Sequence, residues 1–318
     1  MIQRRSLFPS ERMNDLKCIN VEYLTSPALQ RAFVEECDAR LERDMIEVAR
    51  QVSRTPELRL LGLTGPTCSG KTTAANKLTD YLERHGHRVY VISIDDFYYD
   101  LEILHKKAEM SPDVEIDYDS EDTIDVELLA EKAESLLACK RTEMPHFDFK
   151  TGRRTAGHII EPLPQDVFLF EGIQTLYPKV NSFLERGAYQ SIYICPSTSL
   201  RVKDEVFEPN EIRLMRRLVR DFRYRASEPE FTFYLWQSVR ENEEKSIFPN
   251  AFRCHYFIDS TMPYELGMLK PYLCDILGRV SKNGQFYGRA QEILHTLSEV
   301  ETIPSEFMTE NSLYKEFI

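Results

Sequence analysis

Apolar residues at Leu29, Phe33, Cys37, Leu41, Met45, Val48 and Val52 recur three to four positions apart behind a Ser26-Pro27 pair. A capping serine followed by a first-turn proline and this spacing predict a long helix near the N-terminus. Residues 1–25 show no clear period. From residue 58 the pattern changes to short apolar runs separated by amphipathic stretches. Residues 58–64 read as a buried strand, and Ala75, Leu78 and Leu82 mark one face of a helix over 72–84. A strand is expected at 88–93, and a helix carrying Val126, Leu129, Ala133 and Leu136 on one face. Residues 167–170, 191–195 and 255–258 read as further buried strands. Strands alternating with helices in this way predict an α/β fold with a doubly wound parallel sheet. No internal repeat, low-complexity tract or Gly/Ser linker divides the chain. The expectation is one main domain over 58–262, a helical N-terminal extension over 1–57, and a helical C-terminal extension over 263–318 packed on that domain.

Composition narrows the function classes. The 318 residues are 42% hydrophobic and 11% aromatic, enough for a real core and against global disorder. Lys plus Arg number 40 against 52 Asp plus Glu, a net charge of −12, which argues against binding a nucleic-acid backbone. Any anionic ligand must then be held by a local site. No apolar run reaches the ~18 residues of a spanning helix, and no signal-peptide stretch opens the chain, so no membrane partner is expected. Seven scattered cysteines without a Cys-x-x-Cys pair suit reduced thiols, and the expected location is cytoplasmic. Charge and composition leave a homo-oligomer open.

Gly65-Pro66-Thr67-Cys68-Ser69-Gly70-Lys71-Thr72 matches the phosphate-binding loop Gly-x-x-x-x-Gly-Lys-Ser/Thr, between a predicted strand and a predicted helix. Glycines let the backbone amides of the loop and of the following helix, Thr73 among them, converge on one phosphate chain. Lys71 reaches the outer phosphates and Thr72 offers its hydroxyl to Mg²⁺. This is the P-loop NTPase type of α/β fold. No Asn-Lys-x-Asp guanine-reading motif follows, so ATP is the expected nucleotide. Cys68 sits where amides and a helix dipole favour a thiolate, although an ordinary small loop residue is the plainer reading.

Asp95 and Asp96 follow the second strand, at the end where α/β sheets build their ligand sites. If that strand continued, the two carboxylates would face opposite ways: one could orient an acceptor hydroxyl, while the other capped a helix or faced water. Glu171 in Phe170-Glu171-Gly172-Ile173 stands at another strand end, where a Mg²⁺ ligand is needed. Arg216, Arg217, Arg220, Arg223 and Arg225 place five arginines within ten residues, suited to the charge of a transferring phosphoryl group or to a solvated helix face.

The ordered set of Gly65 to Thr72, Asp95-Asp96-Phe97-Tyr98, Asp117-Tyr118-Asp119, Pro145-His146-Phe147-Asp148-Phe149, Phe170-Glu171-Gly172-Ile173 and Arg216-Arg217-Leu218-Val219-Arg220-Asp221 resembles the uridine kinase and phosphoribulokinase family of P-loop kinases, in its uridine-kinase-related branch. The resemblance implies an ATP- and Mg²⁺-dependent phosphotransferase with a helical lid and a small-molecule alcohol as acceptor, first of all the 5′-hydroxyl of a nucleoside. It places Asp95 as the carboxylate that deprotonates the acceptor, with Asp95, Thr72 and Glu171 near Mg²⁺. Asp119 falls at the ribose clamp, Tyr98 and Phe147 in the substrate site, Arg217 on the sugar side, and Arg220 and Arg225 in the lid. Two positions depart from the pattern. Gly152 stands where uridine kinases present a histidine to the pyrimidine, and Arg225-Ala226-Ser227 replaces a lid Arg-Gly-Arg, with Arg223 offered as the substitute charge. Another primary alcohol, such as a sugar phosphate or pantothenate-like acceptor, stays open. So does a nucleotide-bound switch without phosphotransfer.

Overall fold

The computed structural model describes residues 18–20, 26–55, 57–109, 120–185 and 189–318. A short strand β1 (Cys18–Asn20) precedes the long helix α1 (Pro27–Val52). Strand β2 (Leu60–Thr64) runs through the glycine loop into α2 (Lys71–Arg84). Strand β3 (Val89–Ser93) ends in a 3₁₀ turn at Ile94–Phe97 and leads to α3 (Leu101–Glu109). Helix α4 (Val126–Leu137) precedes a hairpin of β4 (Thr142–Asp148) and β5 (Arg153–Ile160). Strand β6 (Val167–Glu171), α5 (Pro178–Leu184) and β7 (Tyr189–Cys195) follow. Strands β8 (Ser199–Val202) and β9 (Glu205–Phe207) join β1 in a small separate sheet. Next come α6 (Pro209–Arg225), α7 (Pro229–Asn242), a π-helical turn at Glu243–Ile247 and α8 (Phe248–Ala251). Strand β10 (Tyr256–Asp259) and helices α9 (Glu265–Leu277) and α10 (Tyr287–Ser298) complete the long elements, and the chain ends through a 3₁₀ turn at Leu313–Glu316.

The central sheet has the order β10-β7-β2-β6-β3, and every pairing in it is parallel. Its middle strands are buried on both faces, which is why they read as continuous apolar runs. Alternation along them feeds two cores. Leu61, Leu63, Val167 and Leu169 pack with α1, α2, α6, α9 and α10, whereas Leu60, Phe168 and Phe170 pack with α4 and α5. Both terminal helical regions therefore bury their apolar faces in the same core as one side of the sheet.

The β4–β5 hairpin had no predicted counterpart, and its burial explains why. Strand β5 is exposed at most positions, and a register shift between Glu143 and Pro145 interrupts the alternation of β4. Strand β3 also stops before the acidic pair, so Asp95 and Asp96 lie on a 3₁₀ turn and not on a continuing strand.

Candidate active site

Sheet register assembles the centre. Glu171 at the end of β6 pairs with Leu63 on one side and Ser93 on the other. The glycine loop leaves β2 two residues past Leu63, and Asp95 lies two residues past Ser93. Three segments remote in sequence thus meet at one carboxyl edge, the place where open α/β sheets bind ligands.

In the loop, Gly70 adopts φ +94°, and the Leu313 side chain packs against its Cα. Lys71 Nζ donates to the Pro66 carbonyl at 3.1 Å. The Ser69 hydroxyl is buried with no hydrogen-bond partner, and the Thr72 side chain is open to solvent. An orphaned polar atom inside such a loop fits a site built for an oxygen-rich ligand.

Two buried arginines hold the loop from behind. Arg213 makes a bidentate pair with Glu243, both contacts 2.6 Å, and also donates to the Thr67 carbonyl at 3.1 Å. Arg216 pairs with Glu265 at 2.7 and 3.0 Å and donates to the Cys68 carbonyl at 3.3 Å. The π-helical turn carries Glu243, and Arg240 adds a further donor to it at 2.6 Å. Arg216 is thus a structural ion pair, and the reading of five arginines as phosphate cations needs correction. The Arg223 guanidinium, offered as a substitute charge, lies over the Tyr272 ring of α9 at 5.1 Å. The other three converge on one carboxylate: Asp221 takes Arg217 at 3.1 Å, Arg220 at 2.7 Å and Arg225 at 3.6 Å.

Asp95 is half-buried beside this edge. Its Oδ1 accepts a hydrogen bond from Gln174 Nε2 at 2.8 Å. Burial pushes its carboxyl up, while Gln174 and the Lys71 ammonium oppose that shift. Glu171 rises to about 7, again chiefly through burial, with Asp95 and Glu316 adding to the shift and Lys71 opposing it. Asp96 neither caps a helix nor faces water freely. Its Oδ1 accepts from the Phe147 amide and lies against His146 Nδ1, both at 3.0 Å, and so fastens the hairpin to the site.

The hairpin carries an aromatic cluster. Phe147 is buried against Tyr98, ring centroids 5.5 Å apart, and against Phe149 at 5.0 Å. Phe149, 67% exposed, presents the open ring of this group, a position that sequence reasoning quoted but did not single out. Gly152 has φ +66° in the hairpin turn, and a Cβ there would lie 2.4 Å from Leu101 Cδ1. A turn that demands glycine, packed beneath α3, accounts for the missing histidine. Asp119, the expected sugar clamp, lies outside the described residues.

The C-terminal turn reaches the same centre, which no motif signalled. Glu316 Oε2 accepts from Thr73 Oγ1 at 3.1 Å and from the Thr73 amide at 3.4 Å. That amide is one of the orphan donors of the first turn of α2, where a phosphate would sit.

Among the described residues, no cluster of three or more His, Cys, Asp and Glu side chains is placed to hold a metal alone. Asp95 and Glu171 with the Thr72 hydroxyl still suit a hard cation that draws its remaining oxygens from water and nucleotide. Cys37, Cys68, Cys139, Cys195, Cys254 and Cys274 are free, and Cys68 is buried. Among the described residues no helix is long and apolar enough to cross a membrane.

The chain is similar to several known proteins. Over 168 residues the chain is 28% identical to a uridine kinase of Lactobacillus helveticus, covering 52% of this chain and 69% of that one. It is 27% identical over 180 residues to uridine kinase-like protein 4 of Arabidopsis thaliana, covering 56% of this chain and only 33% of the plant protein. Among solved structures, a D-glycerate 3-kinase from Cryptococcus neoformans aligns over 72% of this chain and 90% of its own, at 18% identity and a TM-score of 0.43. The description "Phosphoribulokinase / Uridine kinase family" matches residues 60–265, from the first residue of β2 to the first of α9. With that match running from the strand before the glycine loop past the arginines of α6, the chain belongs to the phosphoribulokinase and uridine kinase family of P-loop kinases.

Proposed function

We propose that the protein transfers the terminal phosphoryl group of ATP to a primary hydroxyl of a small molecule, with the 5′-hydroxyl of a nucleoside as the first acceptor to test. The observation that carries this reading is Asp95: a half-buried carboxylate, raised by its removal from water, at the sheet edge shared with Lys71 and Glu171. A protein that only binds nucleotide has no use for such a base. In this reading Asp95 takes the acceptor proton as the acceptor oxygen bonds to the terminal phosphorus and the bond to ADP breaks. Lys71 and the amides of the loop hold the phosphates, and Arg220 and Arg225 leave Asp221 partly or wholly to meet charge that spreads over the transferring group. Arg217 lies on the acceptor side, Asp119 clamps the acceptor's hydroxyls, and Tyr98 with the Phe147–Phe149 pair forms an apolar wall. Thr72, Glu171 and Asp95 would hold Mg²⁺, which when bound neutralises phosphate oxygens.

One observation favours a second acceptor class. Leu101 fills the space beside Gly152, so that position offers no donor or acceptor to a base edge. An apolar pocket without such a contact discriminates by only about 10–200-fold. A non-nucleoside primary alcohol is therefore the alternative. Acceptor-dependent ADP release, measured with uridine, cytidine, adenosine, guanosine, a pentose phosphate and pantothenate, decides between them. Turnover with a nucleoside supports the first reading, and turnover confined to the last two supports the second. ATP binding without acceptor-dependent release from any compound would overturn the kinase reading in favour of a switch.

A further inference from the structure

Gln174 lies on the 3₁₀ turn at Ile173–Leu176, directly after β6, and is 1% exposed. A buried primary amide is costly unless its donors and acceptor are bonded. Its Nε2 donates to Asp95 Oδ1 at 2.8 Å and lies 3.4 Å from the Tyr98 hydroxyl. Its Oε1 is buried and has no partner. Turning the amide over would set Oε1 against the Asp95 carboxylate, so the charge of Asp95 fixes the orientation and leaves the orphan.

For stability alone this is a poor choice of residue. A methionine or leucine of similar volume would fill the space without an orphaned oxygen. What glutamine adds is a directed N–H on one carboxylate oxygen. Among the described residues no donor is bonded to Asp95 Oδ2, so with Oδ1 engaged, Oδ2 is the atom left for an incoming hydroxyl.

We propose that Gln174 is a positioning residue for phosphoryl transfer: bonded to both Asp95 and Tyr98, its amide fixes the Asp95 carboxylate so that Oδ2 takes the acceptor proton. The proposal rests on the reading of Asp95 as the base.

The test compares wild type with Gln174→Met, Gln174→Glu and Asp95→Asn, using the acceptor that gives turnover. Gln174→Met should lower kcat by about 10–100-fold, within the range of a general-base contribution, and leave the KM for ATP within about twofold. Its thermal midpoint should equal or exceed that of wild type. Gln174→Glu, which sets a carboxyl against Asp95 in place of the donor, should lower kcat further and again leave the KM for ATP within about twofold. A merely structural glutamine would move the thermal midpoint and leave kcat in place. If Asp95→Asn is inactive while both Gln174 variants keep the wild-type kcat, the positioning role is wrong. If Asp95→Asn retains full turnover, the reading of Asp95 as the base fails, and the role of Gln174 with it.

Discussion

Glu316 places a carboxylate on the donors that a nucleotide phosphate needs, so replacing it by glutamine should tighten ATP binding. In the structure Oε2 takes both the hydroxyl and the amide of Thr73, at 3.1 and 3.4 Å, at the N-terminus of α2. A negative group at a helix N-terminus gains about 0.3–1 kcal/mol when exposed. A hydrogen bond to a charged group adds up to about 1.5–3 kcal/mol, which half-burial and solvent screening reduce. About 1–2 kcal/mol in total must be given up when phosphate enters, and at 1.4 kcal/mol per tenfold that is a factor of about 5–30 in Kd. Glutamine keeps the shape of the side chain and removes the charge. Leu313 and Tyr314 remain to anchor the turn in the core, so the fold should hold. Titration calorimetry with ATP on wild type, Glu316→Gln and Glu316→Ala measures the effect directly. Unchanged or weaker affinity in both variants would show that the C-terminal turn supports the nucleotide and does not compete with it.

Three further outcomes follow from the same geometry. Glu171 has a folded pKa raised from 4.5 to about 7. Its favourable contribution is therefore complete below about pH 4.5 and lost as pH rises through about 7, a change of about 3 kcal/mol. Glu171→Gln should accordingly gain stability over wild type between pH 5 and 8 in urea unfolding, and a difference independent of pH would contradict the assignment. Arg220→Ala and Arg225→Ala should each lower kcat by about tenfold or more and move the ATP Kd by less than about threefold, because their phosphate contacts form on closure; equal losses in both constants would make them ordinary binding residues. Gly152→His should destabilise by about 2–5 kcal/mol, the sum of a left-handed backbone penalty and overpacking against Leu101, and thermal unfolding near the wild-type midpoint would refute that.

The parallel sheet was legible because its middle strands are buried on both faces and so carry apolar runs that no surface strand imitates. The glycine loop was legible for a different reason: the chemistry of phosphate binding fixes both residue types and spacing. The β4–β5 hairpin was not, since an exposed strand such as β5 has no face that must be apolar. The arginines of α6 show where pattern stops informing. At sequence level Arg216 and Arg220 are alike, yet one is fully buried on Glu265 and the other meets Asp221 on the same helix, and only the partners distinguish them. Those partners lie 49 residues away in one case and adjacent in the other. Gln174 and Glu316 reach the site through tertiary contacts at separations of 79 and 243 residues, which no local signal encodes.

The central claim is that this edge of the sheet performs phosphoryl transfer with Asp95 as its base. The most direct test is to follow γ-labelled phosphate from ATP to acceptor in a single turnover, with ATP affinity measured in parallel, for wild type and Asp95→Asn. The account predicts labelled acceptor from wild type, a rate about 10²–10⁴-fold lower in Asp95→Asn, and ATP affinity within a few-fold between the two. Transfer by Asp95→Asn at the wild-type rate, or no transfer by wild type to any acceptor despite ATP binding, would contradict it.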